Sequence, residues 1–265
     1  MNIPLQSFSN LLPRKLKRLA QVVLLPAPVM ARHAEYSMLF SADDAPGNSN
    51  ERLVDLSLLA IEAARKQDLS SVQARLKGRF RFPDSIVSTW PGEHYKLLAG
   101  LVEVLAPKQV VEIGTAQGIS ALALKRHLPQ AGKVVTFDLI PWRDYPNCCL
   151  DDGDFSDGRL EQMIADLGNP ATVDRHRELL ESTDLLFIDA AKDGILEMRL
   201  IENLSSLSYV RPPIVVFDDI RLWNMLAIWR ELQWPKLDIT SFGHWSGTGI
   251  TEIPVSTPAR SRRTA

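Results

Sequence analysis

Asp218 and Asp219 close the apolar run "PPIVVF" (212–217), so two adjacent carboxylates stand at the mouth of a hydrophobic segment. Like charges at that distance repel, and burying either ion without a partner is costly. One could cap the helix suggested by "LWNMLAIWRELQ" while the other is solvated, which is the plainest reading of the pair alone. A second apolar run, "LLFIDAAKDG", ends in Asp189, with Lys192 three residues on and Asp193 as an ordinary surface partner for that lysine. Upstream, "VVEIGTAQGIS" (110–120) carries Gly114 and Gly118, which let a backbone turn tightly and approach a ligand. The run "KVVTFD" then ends in Asp138, an acid placed to accept from both hydroxyls of a ribose. Glu112 occupies the first glycine position of a dinucleotide G-x-G-x-x-G turn, which argues against a nicotinamide oxidoreductase.

These residues need strands to present them. From about residue 93, short apolar runs alternate with helical spacing. "EHYKLLAGLVEVL" is helical, "QVVEIG" a strand, "ISALALKRHL" a helix and "KVVTFDL" a strand. "RLEQMIADL" supplies a third strand, "TDLLFID" a fourth, then helical "ILEMRLIENLSSL", and "PPIVVFDD" a fifth. Such alternation specifies an α/β fold, doubly wound, with a mostly parallel sheet covered on both faces. "LDITSF" and "GITEIP" flank a glycine-bearing turn and predict a terminal antiparallel hairpin. In open sheets of this kind ligands bind beyond the carboxyl ends of the strands, where all of these acids fall.

The bulk properties fit. A chain of 265 residues with 45% hydrophobic and 23% charged residues can fill a globular core. A formal net charge of −2 speaks against a nucleic-acid partner held by general electrostatics. No apolar run reaches the roughly 20 residues of a membrane span, so no stable membrane insertion is expected. The two cysteines, Cys148 and Cys149, are neighbours and form no ordinary disulfide framework, which suggests a reducing, cytoplasmic location. A basic cluster at Arg14, Lys15, Lys17 and Arg18 precedes "LAQVVLLPAPVMA", read as an amphipathic helix against the main domain or a membrane surface. The expected domains are a mostly helical extension or lid over 1–90, a ligand-binding domain over 91–255 and a disordered basic tail over 256–265.

Over about residues 93–253 the chain resembles the class I S-adenosylmethionine-dependent O-methyltransferases. "VVEIGTAQG" is similar to their glycine-rich first motif, and the resemblance implies a Rossmann-like seven-stranded sheet. It also implies that Glu112, Gly114, Thr115, Gly118, Ser120, Asp138 and Asp166 bind the cofactor. Within that set Asp138 would hold the ribose, Ser120 the methionine carboxylate and Asp166 the adenine side. Asp189, Lys192, Asp218 and Asp219 are similar to the metal and catalytic positions of the catechol and caffeoyl-CoA branch. There an asparagine is usual where this chain has Asp219, and the double aspartate looks more like the macrocin-type sugar O-methyltransferases, which also use magnesium.

Adjacent parallel strands would bring Asp189 together with Asp218 and Asp219. Uncompensated, three carboxylates at one sheet edge raise one another's pKa and cost stability, and a hard divalent cation relieves this, Mg2+ foremost and Mn2+ or Ca2+ as substitutes. An acceptor hydroxyl brought to that cation loses its proton more readily. Lys192 would take the proton if its pKa were lowered, or stabilise the oxyanion if it stayed charged. The expected partner is a hydroxylated small molecule such as a sugar, catechol or natural product, with a homodimer possible. A non-catalytic cofactor-binding protein is the alternative from another class. His94 and His244, each beside an aromatic residue, read as structural, and His33, His127 and His176 as surface residues. Trp229 and Trp234 read as packing, with Trp223 near enough to the acids to wall an acceptor pocket. "DDGDFSDG" (151–158) lacks the spacing of an EF-hand and reads as a flexible acidic loop.

Overall fold

The computed structural model describes residues 50–76, 78 and 85–254. The expectations for residues 1–40 and for the tail lie outside these residues.

Seven strands form one sheet in the order β3-β2-β1-β4-β5-β7-β6. The parallel set is β1 (Gln109–Ile113), β2 (Lys133–Asp138), β3 (Leu160–Ile164), β4 (Leu185–Ile188) and β5 (Ile214–Asp218). The closing hairpin, β6 (Lys236–Asp238) and β7 (Thr248–Glu252), adds to β5 antiparallel through β7, as the sequence predicted.

Successive side chains of a strand point to opposite faces, and here both faces are dry. Val110, Val134, Leu185 and Ile214 pack in one buried cluster, whereas Val111, Val135, Leu186 and Val215 pack in the other. This is why the strands read as continuous apolar runs instead of alternating ones. On the first face lie the helices Glu51–Lys66, Tyr95–Leu105 and Ile119–Lys125. Leu53, Leu56 and Ala60 join the same cluster as Val110 and Leu185, so residues 51–66 are part of the sheet's own core. Gly100 makes that packing possible, since a Cβ there would meet the Ala60 carbonyl oxygen at 2.7 Å. On the second face lie the helices Ile195–Ser205 and Met225–Glu231, with Trp229 and Trp234 buried in that cluster as expected.

Register aligns the chemistry. Ile113 pairs with Phe137 and with Ile188, and Ile188 pairs with Phe217. One step further along each strand, Asp138, Gly114, Asp189 and Asp218 therefore stand in a row across four strand ends.

Candidate active site

Gly114 is the hinge of this row. Its φ is +102°, and a Cβ there would lie 1.9 Å from the carbonyl oxygen of Asp189, so only glycine fits. Behind the turn, Asp138 is oriented by three backbone amides. Ala116 N donates to Oδ2 at 3.0 Å, and Leu139 N and Ile140 N donate to Oδ1 at 2.7 and 3.0 Å. A carboxylate offers about four acceptor positions, so Oδ2 keeps one free. Asp138 faces a cavity of about 530 Å³ whose other walls include Gly114, Asp166, Asp189 and Lys192. That volume suits a nucleoside-sized ligand. The Asp166 carboxylate accepts from Gly168 N at 2.8 Å, which fixes the turn after β3.

Other cofactor candidates sit deeper. Thr115 is buried and shares a 2.7 Å hydroxyl contact with Thr136. Glu112, Thr115, Gly118 and Ser120 are not among the residues lining this cavity. Gly118, at φ +79°, is packed against Leu150, where a Cβ would approach Cγ to 2.3 Å. Glu112 is fully buried, and neither carboxyl oxygen meets a hydrogen-bonding partner in good geometry. Burial pushes its pKa up to about 8, although the Ser120 and Thr136 hydroxyls stand near enough to pull it back.

At the other end of the row the three acids converge. One carboxylate oxygen from each of Asp189, Asp218 and Asp219 lies within 4.8 Å of the others. Lys192 bridges two of them, pairing with Asp189 and, at 2.9 Å, with Asp219 Oδ2. Lys192 and Asp219 both hold left-handed backbone, at φ 57° and 58°, a cost typical of functional loops. The buried Glu197 clamps the first of these turns by accepting from Lys192 N at 2.7 Å and Gly194 N at 3.0 Å. Asp193 caps the next helix through Ile195 N and Leu196 N and is not the partner of Lys192.

Two histidines, which read as structural in the sequence, join this cluster. His244 Nδ1 lies 3.1 Å from Asp218 Oδ1 and 3.3 Å from Asp219 Oδ1, while its Nε2 lies 3.5 Å from Glu93. His94 Nδ1 lies 3.3 Å from the same Asp218 oxygen, and Ser246 donates to Asp219. The two loops are tied by backbone pairing: Gly92 N donates to Gly243 O at 3.1 Å and Trp245 N to Gly92 O at 3.0 Å. No local periodicity announces this contact. The glycines around His244 were its one sequence signal, since they allow a sharp loop to fold back on the strand ends.

The carboxylates do raise one another's pKa as expected, but for Asp218 and Asp219 the net shift is downward. Burial and Asp218 do raise Asp189. For Asp218 burial acts the same way, but His94 and His244 outweigh it and hold the acid well below the usual carboxylate range. Asp219 is likewise lowered, against burial, by His244, Ser246 and Lys192. Burial opposes the charge on Lys192, yet Asp189 and Asp219 raise its pKa, so it stays an ammonium. Of the two roles considered for Lys192, oxyanion stabilisation is the one this environment favours.

A sheet of this order with a glycine turn and an acid ending the next strand defines the class I methyltransferase architecture. A family profile described as O-methyltransferase matches residues 79–151. The "Caffeoyl-CoA O-methyltransferase 2" of Zea mays is 28% identical over 203 residues, covering 73% of this chain and 69% of that protein. The "Probable caffeoyl-CoA O-methyltransferase 3" of Dictyostelium discoideum is 25% identical over 163 residues, 55% of this chain and 57% of that protein. A Corynebacterium glutamicum crystal structure matches the fold alone, with TM-score 0.51 and 13% identity over 77% of this chain and 99% of that one. Profile and relatives together support an S-adenosylmethionine-dependent O-methyltransferase, the class to which the chain is similar. Both curated relatives carry caffeoyl-CoA O-methyltransferase names, so that is the type the chain is similar to among these matches.

Among the described residues no helix is long and apolar enough to cross a membrane.

Proposed function

We propose that the protein transfers the methyl group of S-adenosylmethionine to a hydroxyl of a small molecule with vicinal oxygens, in a divalent-metal-dependent reaction. The observation that carries this reading is the convergence of Asp189, Asp218 and Asp219, the first of which lines the cavity that Asp138 faces. Oxygen donors within 4.8 Å of one another fit a hard cation, which binds carboxylates at about 2.0–2.6 Å. Asp189, Asp218 and Asp219 would hold Mg2+ or Mn2+, whose contribution when bound is to lower the pKa of an adjacent hydroxyl.

The chain's own groups do the rest. Asp138 keeps one free acceptor position for a ribose hydroxyl, and the bare Gly114 turn lets the cofactor approach the backbone. Asp166 lines the cavity on the side where the adenine would lie. Glu112, Thr115, Gly118 and Ser120 support the turn from behind. The Lys192 ammonium, held over Asp189 and Asp219, offers its charge to the acceptor oxygen as the hydroxyl proton passes to solvent. Methyl transfer is a direct displacement, so alignment of oxygen, carbon and sulfur supplies most of the rate. The exposed Trp223, just after Asp219, is placed to wall the acceptor side.

The test is methyl transfer from labelled S-adenosylmethionine to a panel of catechols and sugar diols, before and after exhaustive chelation. Activity lost with the chelator and restored by Mg2+ is the expected result. Full activity in metal-free protein would return Asp218 and Asp219 to purely internal ion pairing.

A further inference from the structure

His94 and His244 come from loops far apart in sequence, yet Nδ1 of each faces Asp218 Oδ1, at 3.3 and 3.1 Å. Their ring centroids lie 5.2 Å apart with planes crossed at 76°, so the rings meet edge to face. One donor atom each from His94, Asp218 and His244 falls within 4.8 Å of the others. Around a tetrahedral metal with bonds of about 2.0–2.1 Å, neighbouring donors stand roughly 3.3–3.4 Å apart. The two imidazole–carboxylate separations match that spacing.

Hydrogen bonding accounts for His94 only in part. The residue is 3% exposed, its Nδ1 lies 3.3 Å from Asp218 Oδ1 without good hydrogen-bonding geometry, and its Nε2 meets no partner. A buried imidazole left so is costly unless something else takes its lone pair. Its ring is held in place by Tyr95 and Phe187, with centroids at 4.4 and 5.3 Å. His244 is held from behind: Glu93 Oε2 lies 3.5 Å from Nε2, and with the proton there Nδ1, which in this structure meets Asp218 and Ser246, would turn its lone pair to a cation. Carboxylate support of this kind is what orients ligating histidines in metal sites. The Ser246 hydroxyl, 3.0 Å from His244 Nδ1, adds a further oxygen to the ring of donors.

We propose that His94, Asp218 and His244 form a binding site for a borderline divalent transition metal of the zinc, cobalt and iron class. It lies beside the all-oxygen position of Asp189, Asp218 and Asp219 and shares Asp218 with it. Imidazole nitrogen favours such metals over magnesium, which prefers oxygen alone. The site deepens the proposed metal dependence and rests on that reading's placement of a cation at this edge. It adds that the ion bound most tightly there is nitrogen-ligated.

The experiment uses the full chain, stripped with a chelator and titrated separately with ZnCl2, CoCl2 and MgCl2. Zinc should bind one ion per chain, at least about 100-fold more tightly than magnesium. X-ray absorption of the zinc-loaded, unmutated protein should show the outer-shell scattering of imidazole, a readout that needs no variant to fold. His94→Ala and His244→Ala should each weaken zinc binding by about 10–100-fold while S-adenosylhomocysteine still binds, and Asp189→Asn should leave zinc affinity nearly unchanged. Oxygen-only scattering, or affinity lost in Asp189→Asn and kept in both histidine variants, would overturn this site and leave the aspartate-bound cation standing. Imidazole scattering with methyl transfer indifferent to chelation would uphold the site and overturn the metal dependence. No zinc bound, together with that indifference, would overturn both.

Discussion

Glu112 gives the sharpest test of how burial sets charge in this fold. Its carboxyl is fully buried in β1, and burial is the main reason its pKa rises from 4.5 to about 8. The groups that modify this are the Ser120 and Thr136 hydroxyls and His94, which lower it, and Asp189, which raises it further. Because the folded value lies above the unfolded one, the folded chain keeps a proton that the unfolded chain releases between the two. The stability that this protonation supplies is complete below about pH 4.5 and declines towards pH 8, by up to about 1.4 kcal/mol per pH unit. Glu112→Gln keeps the shape and removes the titration. Relative to the variant, the wild type should therefore lose about 3 kcal/mol between about pH 5 and pH 7.5. Urea unfolding of both proteins at several pH values in that window measures the difference directly. Stability curves that run parallel would refute a neutral, buried Glu112, and with it the claim that burial dominates there.

Asp138→Ala should weaken S-adenosylhomocysteine binding roughly ten- to a hundredfold, about 1.5–3 kcal/mol for one charge-assisted hydrogen bond, and unchanged affinity by calorimetry would remove Asp138 from the cofactor site. Gly114→Ala forces a Cβ onto the Asp189 carbonyl, so both the melting temperature and cofactor affinity should fall; a variant with wild-type values in both assays would contradict the close approach. Asp218→Asn should impair turnover more than Asp219→Asn, because Asp218 alone meets both histidines and the other acids, and equal kcat values in the two variants would argue against that asymmetry. Glu197→Gln should lower kcat while sparing cofactor affinity, since it loosens the turn that carries Lys192, and an unchanged kcat would show that the turn holds itself.

The sheet and half of the site were legible in the sequence because both are written locally. Each strand is a short apolar run, and each acid is the residue at which the run stops, so strand order brings Asp138, Asp189 and Asp218 to one edge. The histidine half was not legible, because His94 and His244 reach the acids through loops whose only tie is the backbone pairing of Gly92 with Gly243 and Trp245. A histidine beside a tyrosine or tryptophan looks the same in sequence whether it packs or faces a carboxylate. Glu197 was equally hidden: a glutamate in the first turn of a helix is ordinary, and its role depends on the left-handed turn at Lys192. For Lys192 the sequence offered two settings, the acid cluster or a surface pair with Asp193, and the structure places it against Asp189 and Asp219.

The contact between Gly114 and the Asp189 carbonyl has a consequence for how such an enzyme can diversify. The two residues belong to different tasks, one to the cofactor turn and the other to the acid cluster, yet their backbones are pressed together with no room for a methyl group. Neither can shift without moving the other. On the proposed reading, new acceptors would be accommodated beyond this seam, by the loop after Asp219 with its exposed Trp223 and the loop that carries His244 and the exposed Trp245. The seam would, on that reading, fix the distance between the donor's half of the site and the acceptor's half, with the outer loops as the adjustable jaw.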